Sequence, residues 1–158
     1  MKREILIDIV AYLFSILFIY TGVMKLTDHF YFWSAVMKSH ILHRYSTIIS
    51  WVVPISELLV ATTLLLPKTR RVGLFGALSL MVVFTIYVGY NVFYLTSTQR
   101  PCTCGGIIQK MSWHQHLYFN GFFTLLVIAA LLLDFKINRG APASQNASQY
   151  HLSAMGRS

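Results

Sequence analysis

The chain has 158 residues, enough for one compact unit. Hydrophobic residues make up 56% of it and charged residues 11%, where soluble domains have about 45–50% and about 25%, so it lacks the polar surface of an ordinary soluble globule. The formal net charge of +8 does not point to nucleic acid, because the basic residues flank apolar runs and form no stripe with interleaved aromatics.

Four runs are long enough to cross the roughly 30 Å hydrocarbon layer, which takes about 20 helical residues. The first extends from Ile5 to Met24 and contains Asp8. Lys2 and Arg3 precede it in the manner of a signal peptide, but its apolar length is greater and Thr21-Gly22-Val23-Met24-Lys25 offers no small-x-small cleavage site. It is expected to stay as the first membrane helix. Near its far end Thr21, Lys25 and Asp28 share one face at helical spacing.

In the loop that follows, from Thr27 to Ser46, Phe30, Trp33, Met37 and Ile41 recur at helical spacing. An amphipathic helix in the headgroup layer and an aromatic-rich interfacial loop both fit. The second run, Ile48 to Leu66, carries Glu57 near its middle in Pro54-Ile55-Ser56-Glu57. A carboxylate at that depth must face the bundle interior, be protonated or find a partner. It reads either as a polar clamp to the first helix or as part of a proton relay or a quinone headgroup site.

A tight turn with Lys68, Arg70 and Arg71 leads to the third run, Val72 to Leu95, where Tyr87, Asn91 and Tyr94 fall at helical spacing. The loop before the fourth run holds the chain's only two cysteines, in Pro101-Cys102-Thr103-Cys104-Gly105-Gly106. A bridge between cysteines one residue apart closes a very small, strained ring that constrains little of the unfolded chain. Strained, exposed pairs belong with labile or catalytic disulfides. Free thiols without a role, and a metal site completed by His114 and His116, are the other readings. The metal site is disfavoured because two histidines two apart on a helix project to nearly opposite faces, and no metal is assigned.

The fourth run, Leu117 to Leu133, is preceded by His116 and carries Asn120 and Thr124 on the same stripe. Polar residues in membrane helices often serve only as interhelical glue. Here, however, they gather in the half of the membrane nearest the cysteines, where His116 can lower a thiol's pKa or pass a proton if the loop folds back. Residues 136–158 are rich in Ala, Ser, Gln and Asn and read as a disordered polar tail.

The expected fold is therefore an all-α four-transmembrane-helix bundle spanning residues 1–135 as one domain. Lys2, Arg3, Lys68, Arg70, Arg71, Lys136 and Arg139 lie on one side, against Lys25, Lys38, Arg44, Arg100 and Lys110 on the other. The positive-inside rule then puts both termini in the cytoplasm and the cysteine loop outside.

Gly22-x-x-Lys25-Leu26-x-Asp28, Pro54-x-x-Glu57, Cys102-x-Cys104-Gly105-Gly106 and Trp113-x-x-His116, set on four spans, resemble the MauE/DoxX family of redox-associated membrane proteins, particularly its methylamine-utilisation MauE form. The resemblance covers roughly residues 1 to 135. It implies a bundle like that of membrane disulfide-forming enzymes, in a bacterial inner membrane, with a role in maturing periplasmic partners that need disulfides. MauE proteins are linked to methylamine dehydrogenase, whose small subunit is disulfide-rich, and DoxX proteins to a quinol oxidase and thiosulfate oxidation. This sequence departs from the well-understood disulfide-forming enzymes in having neither a Cys-x-x-Cys pair nor further shuttle cysteines.

The working expectation is thiol–disulfide exchange by Cys102 and Cys104, aided by His116, with a periplasmic thioredoxin-like or disulfide-containing partner. The electrons would pass to a quinone held among Tyr87, Asn91, His116 and Asn120, with Lys25 and Glu57 supporting the site. A non-enzymatic assembly subunit of a redox complex and a small transporter using Glu57 are the competing expectations.

Overall fold

The computed structural model describes residues 2–39, 41–94 and 112–155. The helices among them are α1 (Lys2–Thr27), α2 (His29–Met37), α3 (Ser46–Leu65), α4 (Arg70–Tyr94) and α5 (Trp113–Met155), with a 3-10 turn at His43–Tyr45 leading into α3. Among the described residues, four stretches are long and apolar enough to cross a membrane: Glu4–Thr27, His43–Leu65, Arg70–Tyr94 and His114–Lys136. At about 1.5 Å per residue, each of these 23–25-residue stretches exceeds the hydrocarbon thickness. The all-helical four-span fold is as expected, each span differing from its expected limits by a few residues.

Because the spans are apolar all round, packing selects the inward face. In α1, Ile7, Ala11, Phe14 and Phe18 are buried at alternating spacings of four and three, while Ile5, Ile9 and Ile16 point outward. The core they join includes Ala61 and Leu64 of α3, Leu74, Ala77 and Met81 of α4, and Val127 and Leu131 of α5. Phe14 meets Phe123 of α5 edge-on at 5.4 Å. Outward leucines and isoleucines that water would penalise lie against lipid tails.

The short connection between α3 and α4 is drawn tight. Thr69 Oγ1 donates to the Thr63 carbonyl at 3.0 Å. A Cβ on Gly73 would lie 2.8 Å from the Leu64 backbone nitrogen. Only glycine allows that approach, which follows the small-residue rule for membrane helices. Ion pairs tie the same end together: Arg70 binds Asp8 of α1, and Arg71 lies 3.1 Å from Asp134 of α5 and over the Phe135 ring. Two of the basic residues that mark this side of the membrane thus have acidic partners on neighbouring helices.

One expectation needs adjustment. The first loop is helical at α2, but its inward face is Phe32, Ala35 and Val36, and Phe30 and Met37 are exposed. Rings at the headgroup level are stable facing out, so the aromatic stripe does not mark the packed face. The backbone of α5 is helical to Met155.

Replacing Gly73 by Val forces α3 and α4 apart, and overpacking of this kind costs about 1–3 kcal/mol. Thermal unfolding in detergent is expected to show a clear loss of stability. Gly121→Ala, whose Cβ meets nothing within 4 Å, is expected to leave the transition in place.

Candidate functional site

Near the middle of α3, Glu57 is 1% exposed. Its carboxylate accepts two hydrogen bonds from Lys25 Nζ of α1, at 2.6 and 2.9 Å. The Thr21 hydroxyl, one turn before Lys25, is a further hydrogen-bonding neighbour. An isolated charge at this depth would be costly, and pairing cancels most of that cost. The ammonium is also flanked by two rings, Phe32 of α2 at 5.8 Å and Phe84 of α4 at 5.5 Å. Both lie within cation–π range. The pair therefore gathers α1, α2, α3 and α4 around one point.

The surrounding wall encloses a cavity of about 300 Å³, at the lower end of the size range of small-molecule sites. All five helices contribute to it. Its wall is mainly aliphatic and aromatic, with polar groups from Thr21, Lys25, Glu57, Tyr87, His116 and Asn120. A few convergent polar groups in an apolar wall bind a ligand by burying its body and orienting its head. Lys25 carries three N–H donors, two of which go to Glu57. The third can serve a ligand oxygen. The ion pair is net neutral, so the site favours an uncharged acceptor over an anion.

Lys25, Glu57, Tyr87, Asn120 and His116 thus meet at one cavity, drawn from four spans. Asn91, expected beside them, is buried but does not line it. Its amide donates to the Tyr87 carbonyl at 2.7 Å, within its own helix. Asp28 is exposed at the N-cap of α2, and Tyr94 is exposed and stacked on Tyr90. Thr124 acts as interhelical glue below the cavity, bonding Thr85 at 3.1 Å. His114 is exposed while His116 is buried, as their spacing predicts. Cys102 and Cys104 lie outside the described residues, in the segment that joins Tyr94 to Ser112.

Sequence reasoning missed Phe32 and Phe84. Phe32, Ala35 and Val36 follow the i, i+3, i+4 spacing of a packed face, a signal hidden by the larger stripe beside it. Phe84 is one apolar residue among many in its span, and only the neighbouring helix gives it meaning.

No curated protein and no solved structure matches the chain. A family model described as methylamine utilisation protein MauE matches residues 3–133. That segment takes in nearly all of α1, the whole of α2 to α4, both cysteines and most of the fourth span. The chain therefore belongs to the MauE family, as a multi-pass membrane protein.

Proposed function

We propose that the protein is a membrane thiol–disulfide exchange protein that passes the electrons to a quinone. Supporting this reading above all is the meeting of Lys25, Glu57, Tyr87, His116 and Asn120 in one largely apolar cavity within the spans. In the first step a partner's dithiol attacks the Cys102–Cys104 disulfide through a mixed disulfide. The partner leaves oxidised, and the two cysteines become thiols. In the second step the two thiols give two electrons and two protons to the quinone, which becomes a quinol while the disulfide re-forms. His116 serves as the proton carrier between thiol and quinone oxygen, and Lys25 donates to the other oxygen.

The family name ties the chain to methylamine utilisation. Maturation of a disulfide-containing periplasmic protein in that process is the role that unites the name with the cysteine pair. It requires the cysteine loop on the periplasmic side of the bacterial inner membrane, where disulfides persist.

The rival reading makes the protein an assembly subunit, with the Lys25–Glu57 pair as a clamp between α1 and α3. Double replacement separates the two. Removing one partner of a buried pair costs about 3–5 kcal/mol, while replacing both with apolar residues is often neutral. Lys25→Met and Glu57→Leu alone are each expected to destabilise the protein in thermal unfolding. The double variant is expected to regain stability yet fail to re-form its disulfide with added quinone. A double variant that is both stable and active would make the pair a clamp only.

The cysteines give the direct test, made by acid trapping of thiols in native membranes followed by labelling with an impermeant reagent. After mild reduction the pair is expected to label from outside, and quinone is expected to restore the bridge. Cys102→Ser and Cys104→Ser are each expected to abolish exchange, and one of them to trap a mixed disulfide. Thiols that stay free whatever quinone is added would favour the assembly subunit, whose partner would co-purify with both variants.

A further inference from the structure

We infer that the cavity's ligand enters sideways from the bilayer, between α3 and α4, as a neutral lipophile with a carbonyl head and a tail left among the lipids. This rests on the cavity being a ligand site, as proposed above, and adds the route and the class of molecule. Close contacts cross all four seams of the bundle, and what sets the α3–α4 seam apart is a lining residue that is also exposed to lipid. Between α1 and α3, a Cβ on Gly22 would lie 3.1 Å from Leu58 and 3.2 Å from the Pro54 carbonyl oxygen. Between α4 and α5, Thr85 and Thr124 are 3.1 Å apart. Between α1 and α5, Phe14 and Phe123 meet edge-on. The remaining seam, α3 with α4, is tight at the turn, where a Cβ on Gly76 would lie 2.8 Å from Val60.

Further along that seam the lining residues are Val53 and Ile49 on α3 and Val83 and Phe84 on α4. Val83 lines the cavity and is also 60% exposed. A side chain within a span that borders both the cavity and the lipid is the lip of an opening. At the end of the bundle away from the turn, α2 lies over the cavity, with Phe32 and Val36 buried and lining it. Passage from water would cross this apolar cover, whereas passage from lipid needs only displacement of tails.

The head group follows from the donors inside. The net-neutral Lys25–Glu57 pair offers one spare N–H, which suits an uncharged carbonyl oxygen. A quinone and the ester of a neutral lipid share that chemistry.

The full-length protein in phosphatidylcholine nanodiscs is to be labelled with an azidoquinone bearing an isoprenoid tail, and separately with its tail-less analogue. The tailed probe is expected to mark residues 49–57 and 81–88. Val83→Trp is expected to raise the concentration needed for half-labelling by the tailed probe about tenfold, with little change for the tail-less probe. Leu59→Trp, at a lipid-facing position outside the cavity lining, is expected to change neither. Labelling elsewhere, or a Val83→Trp effect that is absent or equal for both probes, would overturn the route. Competition by unlabelled quinone supports the quinone head. Competition by diacylglycerol alone keeps the route and removes the quinone of the preceding section. Seam labelling in a protein whose thiols never re-oxidise would likewise keep the route while the exchange reading falls.

Discussion

A carboxylate near the centre of a membrane helix requires a partner, and the structure is organised around that requirement. Glu57 finds Lys25, and Lys25 in turn finds Phe32 and Phe84. The ammonium must reach into the bundle, which fixes the facing of the last turns of α1. Its two rings come from α2 and α4, so those helices are held around the same point. In water such a pair would be nearly neutral in free energy. Among lipids the unpaired state is the expensive one, and the pair becomes a constraint on four helices together.

The cavity results from two different ways of packing the ends of the bundle. At the turn end, glycines bring α4 against α3, and two ion pairs join α1 and α5 to α4. At the other end, the bulk of Phe32, Phe84 and Tyr87 keeps the helices from closing in the same way. Small residues bring membrane helices into contact, and large ones hold them apart. One end is thus built for rigidity, and the other leaves room for a ligand beside the Lys25–Glu57 pair.

The spans were legible because apolar length is a strong signal and the bilayer sets its scale. Glu57 and Lys25 were legible for a related reason: a charge inside or beside such a run demands an explanation. The sequence could not show whether Glu57 would be protonated or paired, since pairing depends on how α1 and α3 are turned against each other. It misled at Asn91. Helical spacing put that residue on the stripe with Tyr87, but its amide is used locally and the residue lies off the cavity. Asp8 looked like a second intramembrane carboxylate, yet it lies close enough to the turn end of α1 to meet Arg70.

The two halves of the proposed mechanism place different demands on the chain. Thiol chemistry needs cysteines that can meet a partner, and Cys102 and Cys104 stand beside Gly105 and Gly106 in the sequence. Quinone chemistry needs the opposite: a water-poor pocket with donors fixed in advance, so that the oxygens meet their hydrogen bonds without reorganisation. His116 lies where these demands meet. It is buried at the cavity wall and sits on the first turn of α5, twelve positions after Cys104 in the sequence. An imidazole can accept a proton on one nitrogen and release one from the other. In the proposed mechanism that property makes His116 the proton carrier between the thiols and the acceptor held in the cavity.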